Sequence, residues 1–146
     1  QIPQKKMSFL AGYLPDVLIV SLKRFAHRNL EIYSGGRTFG HQQKIDMYVD
    51  FPLEGLNLAP YCTSDSLAAS GASAEDCLYD LFAVCNHYGR MGFGHYTAFA
   101  REWLPDGDLD DKWLSYDDDS VMSVSTAEEV KSNAAYVLFY KRRKRR

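Results

Sequence analysis

The chain has 146 residues, of which 46% are hydrophobic and 25% are charged, and this is the composition of an ordinary globular domain. Its apolar runs all fall short of the roughly 18 residues that a membrane-spanning helix needs, so we expect no membrane partner. The chain opens with "QIPQKK" and lacks an initiator methionine, which predicts a fragment of a longer protein.

Charge is distributed unevenly along the chain. The tail "KRRKRR", residues 141–146, holds six of the 17 basic residues, so residues 1–140 carry 11 basic against 19 acidic side chains, a balance of −8. An acidic body favours basic partners through long-range attraction, and we expect no nucleic-acid partner for it. The tail has two open readings: a nuclear-localisation or nucleic-acid patch, or a solvated charge run.

The three cysteines indicate a reducing compartment, the cytoplasm or the nucleus. Cys62, Cys77 and Cys85 are odd in number and lack a C-x-x-C spacing. That pattern argues against a disulfide framework and against a self-contained zinc site. We therefore expect neither a metal nor a cofactor.

The first half of the chain predicts strands separated by loops. The segment "LPDVLIVSLKRF", residues 14–25, begins at a turn signal and continues into a β-branched run typical of a buried strand. A glycine-rich loop follows at residues 34–44, and "IDMYVDFP", residues 45–52, predicts a short strand that Pro52 ends. Residues 63–76 are small and polar, which favours a mobile insertion.

The second half predicts more strands and one short helix. Strand patterns cover residues 77–88, 95–103, 112–116 and 134–141. Ser125 followed by Glu128 resembles a capping box that begins a short helix. The predicted fold class is therefore α+β, mainly an antiparallel β-sheet with a short helix.

His95 is the strongest candidate for a catalytic base. It lies where a loop containing Gly89, Gly92 and Gly94 becomes an alternating strand, and the acidic cluster "YDDDS", residues 116–120, follows about one hairpin later. Hairpin pairing would bring His95 beside Asp117 or a neighbouring residue. A carboxylate bound to one ring nitrogen orients the imidazole as a base.

These residues also have alternative interpretations, as structural residues or as calcium ligands. A single histidine is most often a packed or surface side chain, and His87 in "NHYG" could either line the same cleft or serve only structure. Asp106, Asp108, Asp110 and Asp117 match four positions of a calcium-binding EF-hand loop. However, the loop lacks the required glycine and the final Glu, and strands flank it, so calcium is disfavoured.

A nucleophile is missing from this constellation. Cys85 lies inside a strand pattern, where cysteines are usually packing residues. Cys62 and Cys77 have no helix N-terminus or cationic neighbour in sequence that would lower a thiol pKa. The chain thus carries a base and its orienting carboxylate without the group that they would activate.

Five sequence blocks resemble the C-terminal half of the catalytic domain of ubiquitin-specific proteases, the papain-like deubiquitinating cysteine peptidases. They occur in order: "LPDVLIVSLKRF", "VDFPLEGLNL", "YDLFAVCNHYGRMGFGHYTAFA", "KWLSYDDDSV" and "AAYVLFYKRR". The resemblance implies that residues 1–146 are one part of such a domain. Its core would be residues 10–143, with mobile loops at 34–44 and 63–76 and a basic tail at 141–146.

The resemblance also implies roles for individual residues. His95 would be the general base, Asp117 its orienting carboxylate and Asp118 an auxiliary acid. Substrate-binding positions, around a loop that closes over the ubiquitin tail, would be Gly89, Gly92, Phe93, Gly94, Tyr96, His87 and Tyr116.

Partners and departures follow from the same resemblance. The family's cysteine box and its zinc-binding C-x-x-C pairs do not occur in this sequence, so the chain would be the palm and part of the fingers, inactive alone. Its partners would be ubiquitin, whose tail contains arginine, ubiquitinated proteins, and the N-terminal half of its own catalytic domain. A catalytically dead ubiquitin-binding module is the alternative, and a β-rich interaction domain with structural His and Asp residues is a third reading.

Overall fold

The computed structural model describes residues 8–29, 40–90 and 93–144, without the side chains of residues 26–29 and 40–43. Within these residues the strands are β1 Val17–Ser21, β2 Phe25–Asn29, β3 Gly40–Lys44, β4 Leu56–Asn57, β5 Leu78–Arg90, β6 Phe93–Ala100, β7 Leu114–Asp117, β8 Ser120–Ser123 and β9 Ala135–Arg142. The helix α1 spans Ser64–Ser70, and four 3₁₀ helices cover Ala11–Tyr13, Ala59–Tyr61, Glu75–Cys77 and Ala127–Val130. None of these helices combines the length and the apolar character that crossing a bilayer requires.

The architecture is α+β, as the sequence predicts. The main sheet runs in the order β1-β9-β5-β6-β7-β8, with β4 also paired to β5, and β2 and β3 form a separate two-stranded sheet. Pairing is antiparallel between β5 and β6, between β6 and β7, and between β7 and β8. Consecutive antiparallel strands need only short connections, which agrees with the turn signals in the sequence.

The chain forms two compact units, each assembled from separate segments. The first comprises residues 1–19, 52–82 and 139–146, and the second comprises residues 20–51 and 83–138. The buried apolar residues of the first unit are Ala11, Leu14, Leu58, Cys77, Tyr79, Leu81 and Tyr140. Those of the second unit are Phe51, Val84, Trp113, Val130, Ala134, Ala135 and Leu138.

Buried tyrosines hold the first unit together through their hydroxyl groups. Tyr79 donates a hydrogen bond to the Pro15 carbonyl at 2.6 Å, and Tyr140 donates one to the Pro52 carbonyl at 2.8 Å. Burial raises the pKa of Tyr79 to about 12, so its hydroxyl remains a donor throughout the neutral range. Each ring therefore contributes apolar area while its polar tip is satisfied.

The segment at residues 63–76, predicted as a mobile loop, is partly helical. Helix α1 occupies its first half and ends at Gly71, whose φ of 60° is the left-handed conformation that favours glycine at a helix C-terminus. The Ser66 hydroxyl accepts a hydrogen bond of 3.1 Å from the Ala11 amide, which attaches the helix to the first 3₁₀ turn. Small, polar residues misled the prediction because alanine and serine form a helix once its end is capped and docked. Of the other predicted loop, residues 34–44, the last five form β3, and residues 34–39 lie outside the described residues.

The predicted strand at residues 45–52 is also wrong. Residues 45–50 have no regular structure. The buried Arg24 side chain explains this: its guanidinium donates to the carbonyls of Ala135 at 2.9 Å and Ile45 at 3.1 Å, and also to that of Met47. The segment's carbonyls thus find a side-chain partner instead of a neighbouring strand.

Two smaller expectations also need correction. In β1, predicted as buried, Val17 and Ile19 are 38% and 60% exposed. The capping box lies one residue further along than predicted: Thr126 donates its hydroxyl and its amide to Glu129 Oε1, both at 3.0 Å, and the helix it begins is 3₁₀. Glu128 instead pairs with Lys131 at 3.4 Å.

Candidate active site

The β5–β6 hairpin determines which side chains share a face with His95. Its register pairs Tyr88 with His95, His87 with Tyr96 and Gly89 with Gly94. Side chains of directly opposed residues point to the same face, and successive residues alternate. His95 therefore shares one face with Tyr88 and Thr97, whereas His87, Gly94 and Tyr96 occupy the other.

The next strand brings a carboxylate to His95. Strand β7 pairs Tyr116 with Ala98, so one further step in this register sets Asp117 opposite Thr97 and diagonal to His95. Diagonal neighbours on one face lie within reach of long side chains. His95 Nε2 forms a hydrogen bond with Asp117 Oδ1, and both side chains are about half exposed.

This contact decides the electrostatics of His95. The hydrogen bond to Asp117 raises the pKa of His95 above its ordinary value of 6.5, and the charges of Asp117 and then Asp118 add to the effect while burial opposes it. Because the carboxylate occupies Nε2, proton exchange with another group falls to Nδ1. An imidazole held in this way can act as a base at Nδ1.

Asp118 lies in the two-residue turn that joins β7 to β8. Its φ of 50° is left-handed, which is uncommon for any residue except glycine, asparagine and aspartate. One carboxylate oxygen of Asp118, one of Asp117 and a ring nitrogen of His95 all lie within 4.8 Å of one another. All three residues are exposed, and the His95–Asp117 hydrogen bond already engages the histidine, so the cluster suits acid–base chemistry.

The residues expected to bind substrate fall into two groups. Phe93 and Tyr96 are 89% and 54% exposed, so both present ring surface to solvent. Tyr116 is partly exposed, Gly89 and Gly94 form one rung of the hairpin, and Gly92 lies outside the described residues. His87 differs from all of these because only 3% of it is exposed, so its side chain does not line an open cleft.

The hairpin itself requires its two described glycines. Gly89 has a φ of 93°, and a Cβ built on it would lie 2.7 Å from the Phe93 carbonyl oxygen. A Cβ on Gly94 would lie 2.1 Å from His87 Nε2. The sequence predicts that these glycines allow the close approach of a ligand, and the structure shows that the hairpin's own packing also requires them.

Cys85 and Cys77 are poorly placed or poorly activated for nucleophilic attack. Cys85 pairs with Ala98, so it points to the face opposite His95, and burial raises its pKa. Cys77 is fully buried, and burial likewise raises its pKa, with the neighbouring Cys62 thiol adding to the shift. A raised pKa keeps a thiol protonated and unreactive.

One polar residue near the site escaped the sequence analysis. Asn86 is fully buried on the face of His95, and its Nδ2 donates to the Thr97 hydroxyl at 3.4 Å. Its Oδ1 accepts no hydrogen bond from any described residue. In the sequence, Asn86 could have been recognised as an amide side chain within a mainly apolar strand pattern, since such a group is rarely buried without a partner.

Comparison with known proteins identifies the family. Residues 8–140 match the family model described as "Ubiquitin carboxyl-terminal hydrolase". The chain is 39% identical over 130 residues to ubiquitin carboxyl-terminal hydrolase 4 of Pongo abelii, which covers 89% of this chain and 11% of that protein. It is 38% identical over 160 residues to ubiquitin carboxyl-terminal hydrolase 43 of Homo sapiens, covering 98% of this chain and 13% of that protein. The chain belongs to the ubiquitin carboxyl-terminal hydrolase family.

Solved structures agree with this assignment. The chain resembles a component of the SAGA Ubp8/Sgf11/Sus1/Sgf73 DUB module bound to ubiquitin aldehyde, with a TM-score of 0.67, 32% identity, and coverage of 91% of this chain and 26% of that chain. A related module bound to monoubiquitin gives a TM-score of 0.64 at 31% identity, covering 91% and 24% of the two chains. The fold is therefore that of a papain-like deubiquitinase, and this chain spans about a quarter of those structures.

Proposed function

We propose that this chain is the base-bearing part of a thiol hydrolase that cleaves isopeptide bonds at the C-terminal glycine of ubiquitin. The observation that carries the proposal is the His95–Asp117 hydrogen bond, formed at the ends of two paired strands in a chain of this family. The nucleophilic cysteine and the remaining part of the catalytic domain would come from outside residues 1–146. The chain alone would then be inactive.

The geometry supports a defined sequence of proton transfers. His95 would take the proton of the cysteine thiol at Nδ1, while Asp117 stabilises the imidazolium through Nε2. The thiolate would attack the glycine carbonyl, and His95 would return the proton to the departing lysine amine. Water activated by the same base would then hydrolyse the thioester. A donor for the developing oxyanion is also required, and we place it outside this chain.

The same proposal assigns roles around the pair. Asp118 would be an auxiliary acid, because its charge also raises the pKa of His95. Phe93, Tyr96 and Tyr116 would contact the ubiquitin tail, with Gly89, Gly92 and Gly94 allowing close approach of its backbone. The exposure of the Phe93 ring supports this role, since a large exposed apolar side chain is typical of a contact surface.

A ubiquitin probe with a thiol-reactive C-terminus tests the proposal. We would incubate it with this chain alone and with the full-length protein, and read the products by intact and peptide mass. Labelling of the full-length protein alone, at a cysteine outside residues 1–146, would support the proposal. His95→Ala should slow that labelling, whereas Asp119→Asn, a neighbouring exposed carboxylate, should not.

The other outcomes separate the alternatives. Labelling of the isolated chain at Cys62, Cys77 or Cys85 would refute an external nucleophile. Ubiquitin binding by the full-length protein without labelling would favour a catalytically dead ubiquitin-binding module. If the full-length protein were neither labelled nor bound by ubiquitin, both functions would be excluded.

A further inference from the structure

The imidazole of His87 fills a gap in the hairpin directly beside the proposed base. Gly89 and Gly94 oppose each other, so this rung has no cross-strand side-chain pair of its own. The His87 ring occupies the space that a side chain at Gly94 would take: a Cβ there would lie 2.1 Å from Nε2 and 2.9 Å from Cε1. Gly94 immediately precedes His95 in the chain.

Aromatic rings hold this imidazole in place. Its centroid lies 4.8 Å from that of Tyr96, 5.4 Å from that of Phe25 in an edge-to-face arrangement, and 6.0 Å from that of Tyr136. Four rings at such separations form a rigid cluster, because each pair adds a directional contact to the buried area. His87 therefore links β2, β9 and the start of β6.

Its electrical state suits this packing role. Burial, assisted by the charge of Lys44 and opposed by that of Asp46, lowers the pKa of His87 below 6.5, so the ring is neutral at pH 7. Lys44 also donates to the His87 carbonyl at 2.8 Å, which secures the backbone at the same residue. Nδ1 is buried without a hydrogen-bond partner among the described residues.

We propose that His87 is a positioning residue: its ring supports the backbone at Gly94, so that β6 begins in the orientation that brings His95 against Asp117. The inference rests on the proposed function of the His95–Asp117 pair. It replaces the expectation that His87 binds substrate. His95 depends on such support because its own side chain is half exposed.

The test is His87→Ala in the full-length protein, with Val84→Ala as the matched control. Val84 is fully buried on the same strand but alternates to the face opposite His87, so its truncation removes buried packing and leaves the His87 ring in place. Two quantities are measured: hydrolysis of a ubiquitin C-terminal fluorogenic amide, and the pH dependence of His95 carbethoxylation by diethyl pyrocarbonate, read by peptide mass. The reagent modifies neutral imidazole, so the pH midpoint reports the pKa of His95.

We expect His87→Ala to lower kcat by about 10- to 100-fold, the scale of an ångström-sized misplacement, with KM within about twofold because uniform binding is retained. The pKa of His95 should fall towards its ordinary value as contact with Asp117 is lost. Val84→Ala should leave that pKa unchanged. An unchanged His95 pKa in His87→Ala would overturn the inference. A rise in KM alone would also overturn it and would support the prediction that His87 contacts substrate.

The carbethoxylation measurement keeps this inference separate from the proposed function. If the wild-type protein fails to hydrolyse any ubiquitin amide, the proposed function fails, but the shift of the His95 pKa still tests the role of His87. A second variant, Gly94→Ala, should reproduce the loss, because its Cβ would lie 2.1 Å from His87 Nε2 and 2.7 Å from the Tyr88 carbonyl oxygen, so the ring and the start of β6 cannot both keep their positions. An unchanged His95 pKa in Gly94→Ala would contradict the steric link.

Discussion

At the scale of single residues, the His95–Asp117 pair divides the imidazole into two functional ends. Asp117 holds Nε2, and Nδ1 remains for proton transfer. The pair depends on alternation: moving either residue by one position along its strand would send its side chain to the other face. This is why the spacing along two strands predicts the partnership, while only the register shows which carboxylate of "YDDDS" forms it.

Asp117→Asn should lower the pKa of His95 towards 6.5, because the amide removes both the charge and the charge-assisted hydrogen bond that raise it. Loss of the orienting carboxylate should reduce kcat on the order of 10²- to 10⁴-fold. Carbethoxylation of His95 as a function of pH and hydrolysis of the ubiquitin amide by the full-length protein measure the two effects. Asp119→Asn is the control, and an equal pKa shift in it would show that general surface charge raises the pKa of His95.

Asp118 should lower the stability of the β7–β8 hairpin while it contributes to activity. Its left-handed φ of 50° favours glycine, so Asp118→Gly should stabilise the β7–β8 hairpin by about 0.5–1 kcal/mol. The same variant should lower kcat and the pKa of His95 modestly, because one raising charge is lost. Hydrogen exchange of the hairpin amides and the hydrolysis assay report the two effects. Asp118→Asn, which removes the charge but tolerates the same φ, should show the kinetic effect without the gain in stability.

At the scale of elements, the local sequence predicts most of the long strands but not the connections between them. The alternating patterns at residues 77–88, 95–103 and 134–141 became β5, β6 and β9, with boundaries shifted by a few residues. The strand predicted at residues 45–50 does not form, because the side chain of the buried Arg24, distant in sequence, donates a hydrogen bond to a carbonyl of this segment. Strand β3 lies within the predicted glycine-rich loop, and no local pattern there indicates that it pairs with β2.

The capping box offers a test of one such boundary. Thr126→Ala should destabilise the 3₁₀ turn Ala127–Val130 by about 1 kcal/mol, since the Thr126 hydroxyl is one of two groups bound to Glu129. Ser125→Ala, the position favoured by the sequence pattern, should change stability by less than about 0.5 kcal/mol. Hydrogen exchange at Glu129 and Val130 compares the two variants, and the reverse order of effects would place the cap at Ser125.

At the scale of the whole molecule, the two histidines of the hairpin should make stability depend on pH in opposite senses. The pKa of His95 is raised, so its contribution is full below 6.5 and is lost as pH rises through the raised value. The pKa of His87 is lowered, so its contribution is full above 6.5 and is lost as pH falls towards the lowered value. The stability of the second unit should therefore be greatest near pH 6.5.

Hydrogen exchange of the β5–β6 amides between pH 5 and 8, corrected for the intrinsic dependence of exchange on pH, measures this profile. Asp117→Asn should flatten the alkaline side and leave the acid side intact. A protection factor that rises steadily across the whole range would contradict opposed contributions. Because the acid-side loss belongs to a buried ring, it should persist in high salt, where interactions between exposed charges are screened.

The first unit has a consequence for how the chain folds. It is assembled from three segments, and Arg142 Nη1 donates to the Leu14 carbonyl at 3.0 Å across 128 positions of sequence. Contacts of such separation require long loops to close before they return any stabilisation, which slows folding. During synthesis an interval therefore separates the early residues of this unit from the emergence of the strand that contains Arg142, which completes the unit. That interval is when chaperone binding or aggregation would compete with folding.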